Sequence, residues 1–350
     1  MTMNVWKLGL IAALCCTVFG FGCRTEKPVP PPVPPITGEM ERSAADFAAA
    51  WQSDECRGVL LCEADFRFYT GRWDVLLTRI GKLGVNRLYV QIPSFAVWED
   101  FEFRQAFQAL VVAASERQVA VEAYLQQFDF MPERYGSVLT RKRAGDKNPL
   151  LDIARELVHF QQKLPGDVRL AGVTLRCSVD RFTRQCVKMP ANALFFWSDD
   201  AYGSGKDNDG LMREWFEHLE GFRKVLENAM PLTVAVPAFY HERAAAKDLS
   251  CGTIQDFLAA ADQVIVCGMG SRPSAFAASL AGELRAAGEE DAKRVICGVE
   301  MASHISENGD ALRRRDWADF VRIITFLKKE NASGGFVMMP WSNLELLWER

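Results

Sequence analysis

The sequence predicts an α/β protein: a single (β/α)8 TIM-type barrel following a signal peptide and a proline-rich tether. Three observations carry that expectation. Short β-rich apolar runs recur eight times between residues 58 and 341. Each is followed by a stretch with helical periodicity, in steps of roughly 30 residues with insertions. Most runs are apolar on both faces, as strands are in a parallel sheet buried on both sides.

Length and composition agree. The chain has 350 residues, of which 49% are hydrophobic and 25% charged, the balance of a globular protein. Lys plus Arg total 41 against 45 Asp plus Glu, for a formal charge of −4. A nucleic-acid partner is therefore not expected, since it would call for a basic excess or stripe.

Taken in order, the chain starts with an address. Residues 1–22 carry Lys7 ahead of an apolar run, Leu8–Gly22, whose 15 residues suit a signal-peptide core better than a membrane span of about 20. The segment Phe19-Gly20-Phe21-Gly22-Cys23 resembles the lipobox of bacterial lipoproteins, which implies cleavage before Cys23 and lipidation of that cysteine. An uncleaved anchor helix is the alternative. Pro28–Pro35 holds six prolines in eight residues and favours extended polyproline II, a spacer. The expected division is signal peptide 1–22, lipidated cysteine and linker 23–45, and barrel 46–350. The protein is then exported and membrane-anchored, at the outer membrane or periplasmic face of a cell with two membranes.

The eight predicted strands are Gly58–Glu63, Arg87–Ile92, Val119–Tyr124, Gly172–Cys177, Leu232–Pro237, Gln263–Gly268, Val295–Glu300 and Phe336–Trp341. Between them, Phe103, Phe107, Leu110, Val111 and Ala114 make one helical stripe. Leu211, Trp215, Phe222 and Leu226 make a second, and Trp317, Phe320, Val321, Ile324 and Leu327 a third. Asn148-Pro149 reads as a helix start, and Ser342 to Glu345 as a capping box opening a last short helix. A doubly wound open sheet is the rival, but no GxGxxG follows the first strand.

In such a barrel, chemistry sits where strands end. Those positions offer Glu63 and Asp65 after the first strand, Gln91 and Trp98 after the second, and Tyr124 on the third. The fourth leads to Arg176 and Asp180, the fifth to Tyr240, the seventh to Glu300 and His304, and the eighth to Trp341. Aromatic faces stack on sugar rings while amides and charged groups hydrogen-bond hydroxyls. Glycoside hydrolysis needs two carboxyl groups across one bond. Glu300 is the leading candidate, with Glu63, Asp65 or Asp180 opposite. Each acid has a structural alternative as an ion pair with Arg176 or Arg181, and each aromatic as core packing.

The stretch Val295-Ile-Cys-Gly-Val-Glu300-Met-Ala-Ser-His304, with Gly334-Gly-Phe-Val-Met-Met-Pro-Trp341 and Thr233-Val-Ala-Val-Pro-Ala-Phe-Tyr240, resembles bacterial (β/α)8 proteins of the glycoside-hydrolase-like superfamily. The resemblance spans roughly residues 57–345. It implies an active-site glutamate ending strand seven, here Glu300, and an aromatic ending strand eight, here Trp341. It also implies an acid ending strand four. That position reads Leu175-Arg176-Cys177-Ser178-Val179-Asp180, so the acid comes from the loop at Asp180 or has been lost.

Cys15 and Cys16 leave with the signal, and Cys62, Cys177, Cys267 and Cys297 fall in apolar runs as packing residues. Cys177 and Cys186 could form a loop disulfide. No CxxC or HExxH occurs, so no metal and no cofactor are expected. Gly203–Gly210 reads as a flexible loop, Arg313–Arg315 as a solvated helix face, and His159 and His218 as helix-face residues. The expected function is an envelope-anchored monomer that binds a poly- or oligosaccharide and hydrolyses a glycosidic bond. The alternatives are a non-catalytic glycan-binding barrel and an envelope scaffold.

Overall fold

The computed structural model describes residues 38–126, 149–176, 208–227, 229–238, 250–268, 273–300, 317–330 and 333–345. Its strands are β1 Cys56–Leu61, β2 Arg87–Ile92, β3 Ala120–Gln126, β4 Gly172–Arg176, β5 Leu232–Pro237, β6 Gln263–Cys267, β7 Val295–Glu300 and β8 Gly335–Met339. They pair in parallel in chain order, and β8 returns to β1 to close the barrel. This is the (β/α)8 architecture that the recurring apolar runs predict.

The helices are α1 Gly38–Trp51, α2 Glu63–Tyr69, α3 Trp73–Lys82, α4 Phe95–Glu99, α5 Phe101–Glu116 and α6 Pro149–Gln162. They continue with α7 Asn208–Leu226, α8 Ile254–Ala260, α9 Pro273–Asp291, α10 Trp317–Glu330 and α11 Trp341–Glu345. The expected stripe of α5 is the face it buries: Phe103, Phe107, Leu110, Val111 and Ala114. In α10, Phe320, Ile324 and Leu327 are buried, with Ile323 beside them.

β3 runs on to Gln126 and β6 stops at Cys267, each within two residues of expectation, and three larger differences have structural causes. β1 starts earlier and stops at Leu61, so Glu63 and Asp65 belong to α2 rather than to a strand end. The cause is local: Asp65 reaches back to the Cys62 backbone N–H, 3.1 Å away, and closes a capping box. β8 stops at Met339, because Pro340 has no N–H to give the ladder. Helix α11 then opens on Trp341, and Ser342 lies inside it.

The third difference is α1, which begins at Gly38, inside the stretch expected to be linker. Its buried residues Ala44, Phe47 and Trp51 form a helical stripe. That stripe packs on α10 and α3. The helix after β8 is only five residues long, so α1 supplies the outer layer that a full-length final helix would otherwise provide.

Inside the barrel, residues of seven of the eight strands, all but β4, interlock. Leu60, Tyr89, Tyr124, Ala235, Ile265, Ile296, Val337 and Met339 form one buried cluster with Cys56 and Cys267. Gly335 shows how tight the β1–β8 seam is. Its φ is +124°, and a Cβ there would collide with the Cys56 carbonyl.

Candidate functional site

The C-terminal ends of the strands define the mouth. Glu300 is the last residue of β7 and pairs in register with Met339 of β8, whose side chain belongs to the interior cluster. Arg176 ends β4, half-buried, in register with Gln126 and Ala235. Gln91 of β2, also half-buried, pairs with Tyr124 of β3. The strand pairings therefore set Gln91, Gln126, Arg176 and Glu300 at or near the mouth end of their strands.

Other expected residues are committed elsewhere. Glu63 forms an exposed pair with Arg67 one helical turn on, at 2.7 Å. Asp65 is 5% exposed, and its carboxylate accepts from the Cys62 backbone and thiol, both at 3.1 Å, and from the Ser342 backbone and hydroxyl. Burial raises its pKa, and the bonds from Cys62 and Ser342 pull it partway back. Asp65 thus clamps the helix after β1 to the helix after β8. Burial also raises the Cys62 thiol, to about 11, with the Asp65 charge adding to it.

Among the aromatics, Trp98 packs edge-on against Phe107 and Phe160, with centroids 5.9 and 5.3 Å away. Its ring fills space beneath α5 and α6. Trp341 and Tyr124 are buried at 0% and 1% exposure, Tyr124 within the barrel interior. Asp180, Tyr240, His304 and the lipidation candidate Cys23 lie outside the described residues, as do Cys177 and Cys186. Cys62 is a half-buried helix cap rather than a strand residue, and Cys56 takes the strand position instead. Phe101, at the mouth-side start of α5, is 64% exposed. Sequence reading passed over it in favour of Trp98; the Asp100 N-cap, which sets Phe101 in the first helical position, was the available signal.

The opposite end of the barrel holds a polar cluster that strand-end reasoning did not reach. Arg87 Nη1 donates to Glu122 Oε1 at 2.7 Å and to Gln263 Oε1 at 3.0 Å, and Thr174 Oγ1 donates to Glu122 Oε2 at 2.6 Å. Burial works against the Arg87 charge, but Glu122 overrides it and holds the guanidinium above its ordinary pKa. The signal was present: Glu122 alternates with Tyr124 in an otherwise apolar strand. Polar groups at this end of a barrel serve stability. Among the described residues, no group of His, Cys, Asp and Glu is arranged to hold a metal ion.

No family model matches the chain, and no curated protein matches it in sequence. Solved structures do match. A GH5_18 protein from Streptomyces cattleya in complex with Manβ1-4GlcNAc is 15% identical with a TM-score of 0.52, over 81% of this chain and 71% of that one. The PgaB (BpsB) glycoside hydrolase domain from Bordetella bronchiseptica is 16% identical with a TM-score of 0.49, over 81% and 93%. A chitinase from Chromobacterium violaceum is 12% identical with a TM-score of 0.48, over 83% and 96%. The first of these likenesses establishes the barrel fold.

Proposed function

We propose that this protein is an envelope-anchored, carbohydrate-active barrel that hydrolyses a glycosidic bond, with Glu300 as a catalytic carboxylate. The observation that carries this is the position of Glu300: an acid ending β7, in register with Met339, at the face where (β/α)8 enzymes do their chemistry. The S. cattleya barrel, which holds a disaccharide, supports the substrate class.

Hydrolysis needs an acid to protonate the leaving oxygen, and a carboxylate to attack the anomeric carbon or to activate water. Glu63 and Asp65 are engaged with Arg67 and with the β1–β8 seam, so we assign the second carboxyl to Asp180. Gln91 and Arg176 serve as hydrogen-bond partners of sugar hydroxyls, with Tyr240 and His304 completing the site; Trp341, fully buried, packs beneath it. The N-terminal segment anchors the domain through lipid on Cys23.

A second reading is favoured by Arg176, which ends β4 where an acid is expected. In that reading the barrel retains glycans without cleaving them. One experiment separates the two. Glu300→Gln should abolish release of reducing sugar from the polysaccharide that a glycan array identifies, while leaving its affinity within about threefold. Undiminished hydrolysis overturns the assignment of Glu300. Binding by the wild type with no hydrolysis establishes the second reading.

A further inference from the structure

Successive side chains of a strand point to opposite faces, so the inner wall of the barrel can be followed up to its mouth. On β2, Tyr89 belongs to the interior cluster, and Gln91, two residues on, shares its face. On β3, Tyr124 belongs to the same cluster, which sets Gln126 on the inner face at the strand's end. On β4, Thr174 donates to Glu122, two residues before Tyr124 on that inner face, so Arg176 ends β4 facing inward as well. Gln126 and Arg176 are direct register partners, and Gln91 lies one strand further round, beside Tyr124.

Three adjacent strands therefore line one side of the mouth with two carboxamides and a guanidinium, all half-buried. On its other side Arg176 has Ala235 as register partner, a side chain too short to cover the guanidinium. Neither glutamine brings a negative charge to the mouth. Glu122, the only inward acid on these three strands, is taken up by Arg87 and Thr174 at the base, so its charge does not oppose an anion above it.

A hydroxyl is served well by an amide. A guanidinium has no acceptor, and its rigid fork of five donors matches the two oxygens of a carboxylate with parallel N–H···O bonds. Such a charge-assisted pair gains strength where water is partly excluded. We infer that the glycan taken by this mouth contains a hexuronic acid, whose carboxylate is bound by Arg176 with Gln126 beside it. The inference rests on the glycan reading above and names its substrate class. The donors of Arg176 not facing the carboxylate, with Gln91, are left for ring hydroxyls. β4 stands three strands from β7 round the closed barrel, so Arg176 reads a substituent of the sugar from a different part of the wall than Glu300.

The test is titration calorimetry on the full-length chain in detergent, with hexasaccharides as probes. The acidic probes are β-1,4-linked mannuronate and glucuronate and α-1,4-linked galacturonate. Each is paired with its methyl ester, which keeps the shape and removes the charge. Mannohexaose and a sulfated mannohexaose complete the set. At least one uronate should bind about tenfold or more tighter than its ester and than mannohexaose. Arg176→Gln should erase that preference while changing the affinity for the ester by less than about threefold. Arg176→Lys, which keeps the charge but not the fork, should retain part of it. Near-ultraviolet dichroism checks that both variants fold, and the comparison of acid with ester in the wild type stands without them. Equal affinity for acid and ester, or a preference that survives Arg176→Gln, overturns the inference and leaves the glycan reading standing. A preference for the sulfated probe over every uronate overturns the carboxylate in favour of a sulfate ester. Binding of none of these probes overturns the glycan reading and the inference with it.

Discussion

Arg87 Nη1 lies 2.7 Å from Glu122 Oε1, joining neighbouring strands inside the base of the barrel. The Glu122 side chain is only 2% exposed and the Arg87 side chain 22%. Two charges taken out of water repay their desolvation only while both are present. Arg87→Met should therefore cost about 3–5 kcal/mol in denaturant unfolding, because it strands a buried carboxylate. Adding Glu122→Gln to that variant should recover more than half of the loss. If the double variant is as unstable as the single one, the cost lies in lost packing rather than in the unpaired charge.

A second coupling is read by chemistry rather than by stability. The Cys62 thiol donates to Asp65 Oδ2 at 3.1 Å, and its pKa stands at about 11 through burial and the Asp65 charge. The thiolate is the reactive species, so native Cys62 should alkylate slowly near neutral pH. Asp65→Asn removes the charge but not the burial. Peptide mapping after iodoacetamide pulses should show Cys62 modified several-fold faster in that variant. Cys56 and Cys297, raised by burial to about 11 and 12, should stay protected in both proteins until they unfold. An unchanged Cys62 rate would mean that Asp65 is neutral in the native protein.

Asp65 also gives folding a pH dependence whose sign follows from its raised pKa. Burial lifts the native value above the ordinary 3.8, so between the two values the native state holds more proton than the unfolded chain. Stability contributed by this group is therefore fully present at lower pH and is lost as pH rises through the native value. In urea titrations between about pH 3 and pH 8, the stability of wild type relative to Asp65→Asn should fall with rising pH and then level off. A relative stability that rises with pH would show instead that the bonds from Cys62 and Ser342 outweigh desolvation.

What the sequence disclosed follows from which interactions are local. Strands such as Leu232–Pro237 and Val295–Glu300 were legible to the residue, because burial on both faces leaves a continuous apolar run. The stripe of α5 was legible because a helix repeats its buried face every turn. The pairing of Arg87 with Glu122 was not, since each looks like a lone charge until the register sets them on adjacent strands. Asp65 was misplaced by the same logic: an acid just past an apolar run resembles a strand-end catalyst, and only its bonds to Cys62 and Ser342 reveal a capping and clamping role. Trp98 is buried rather than at the mouth because Asp100 starts a new helix and turns Trp98 under it.

Helix α1 escaped sequence reading because the proline run before it dominates the local composition, and its consequence is a sharp prediction about truncation. Ala44, Phe47 and Trp51 are at most 1% exposed, and Trp51 also donates to the Leu83 carbonyl at 2.8 Å. Burying a large apolar side chain contributes roughly 1.5–3 kcal/mol. Phe47 and Trp51 together therefore hold a large part of the 5–15 kcal/mol that typically separates folded from unfolded domains. Removing α1 would also bare the apolar sides of α3 and α10 that it covers. A chain starting at residue 38 should keep the melting temperature and near-ultraviolet dichroism of the full-length protein. A chain starting at residue 46, the boundary that strand reading suggests, retains Phe47 and Trp51 but loses the first turns that hold them in a helix, and should melt at least about 5 °C lower. A chain starting at residue 52 should lose its near-ultraviolet signal and elute as aggregate in gel filtration. If that last chain stays monomeric with unchanged melting, α1 is an appendage and β1–β8 close without it.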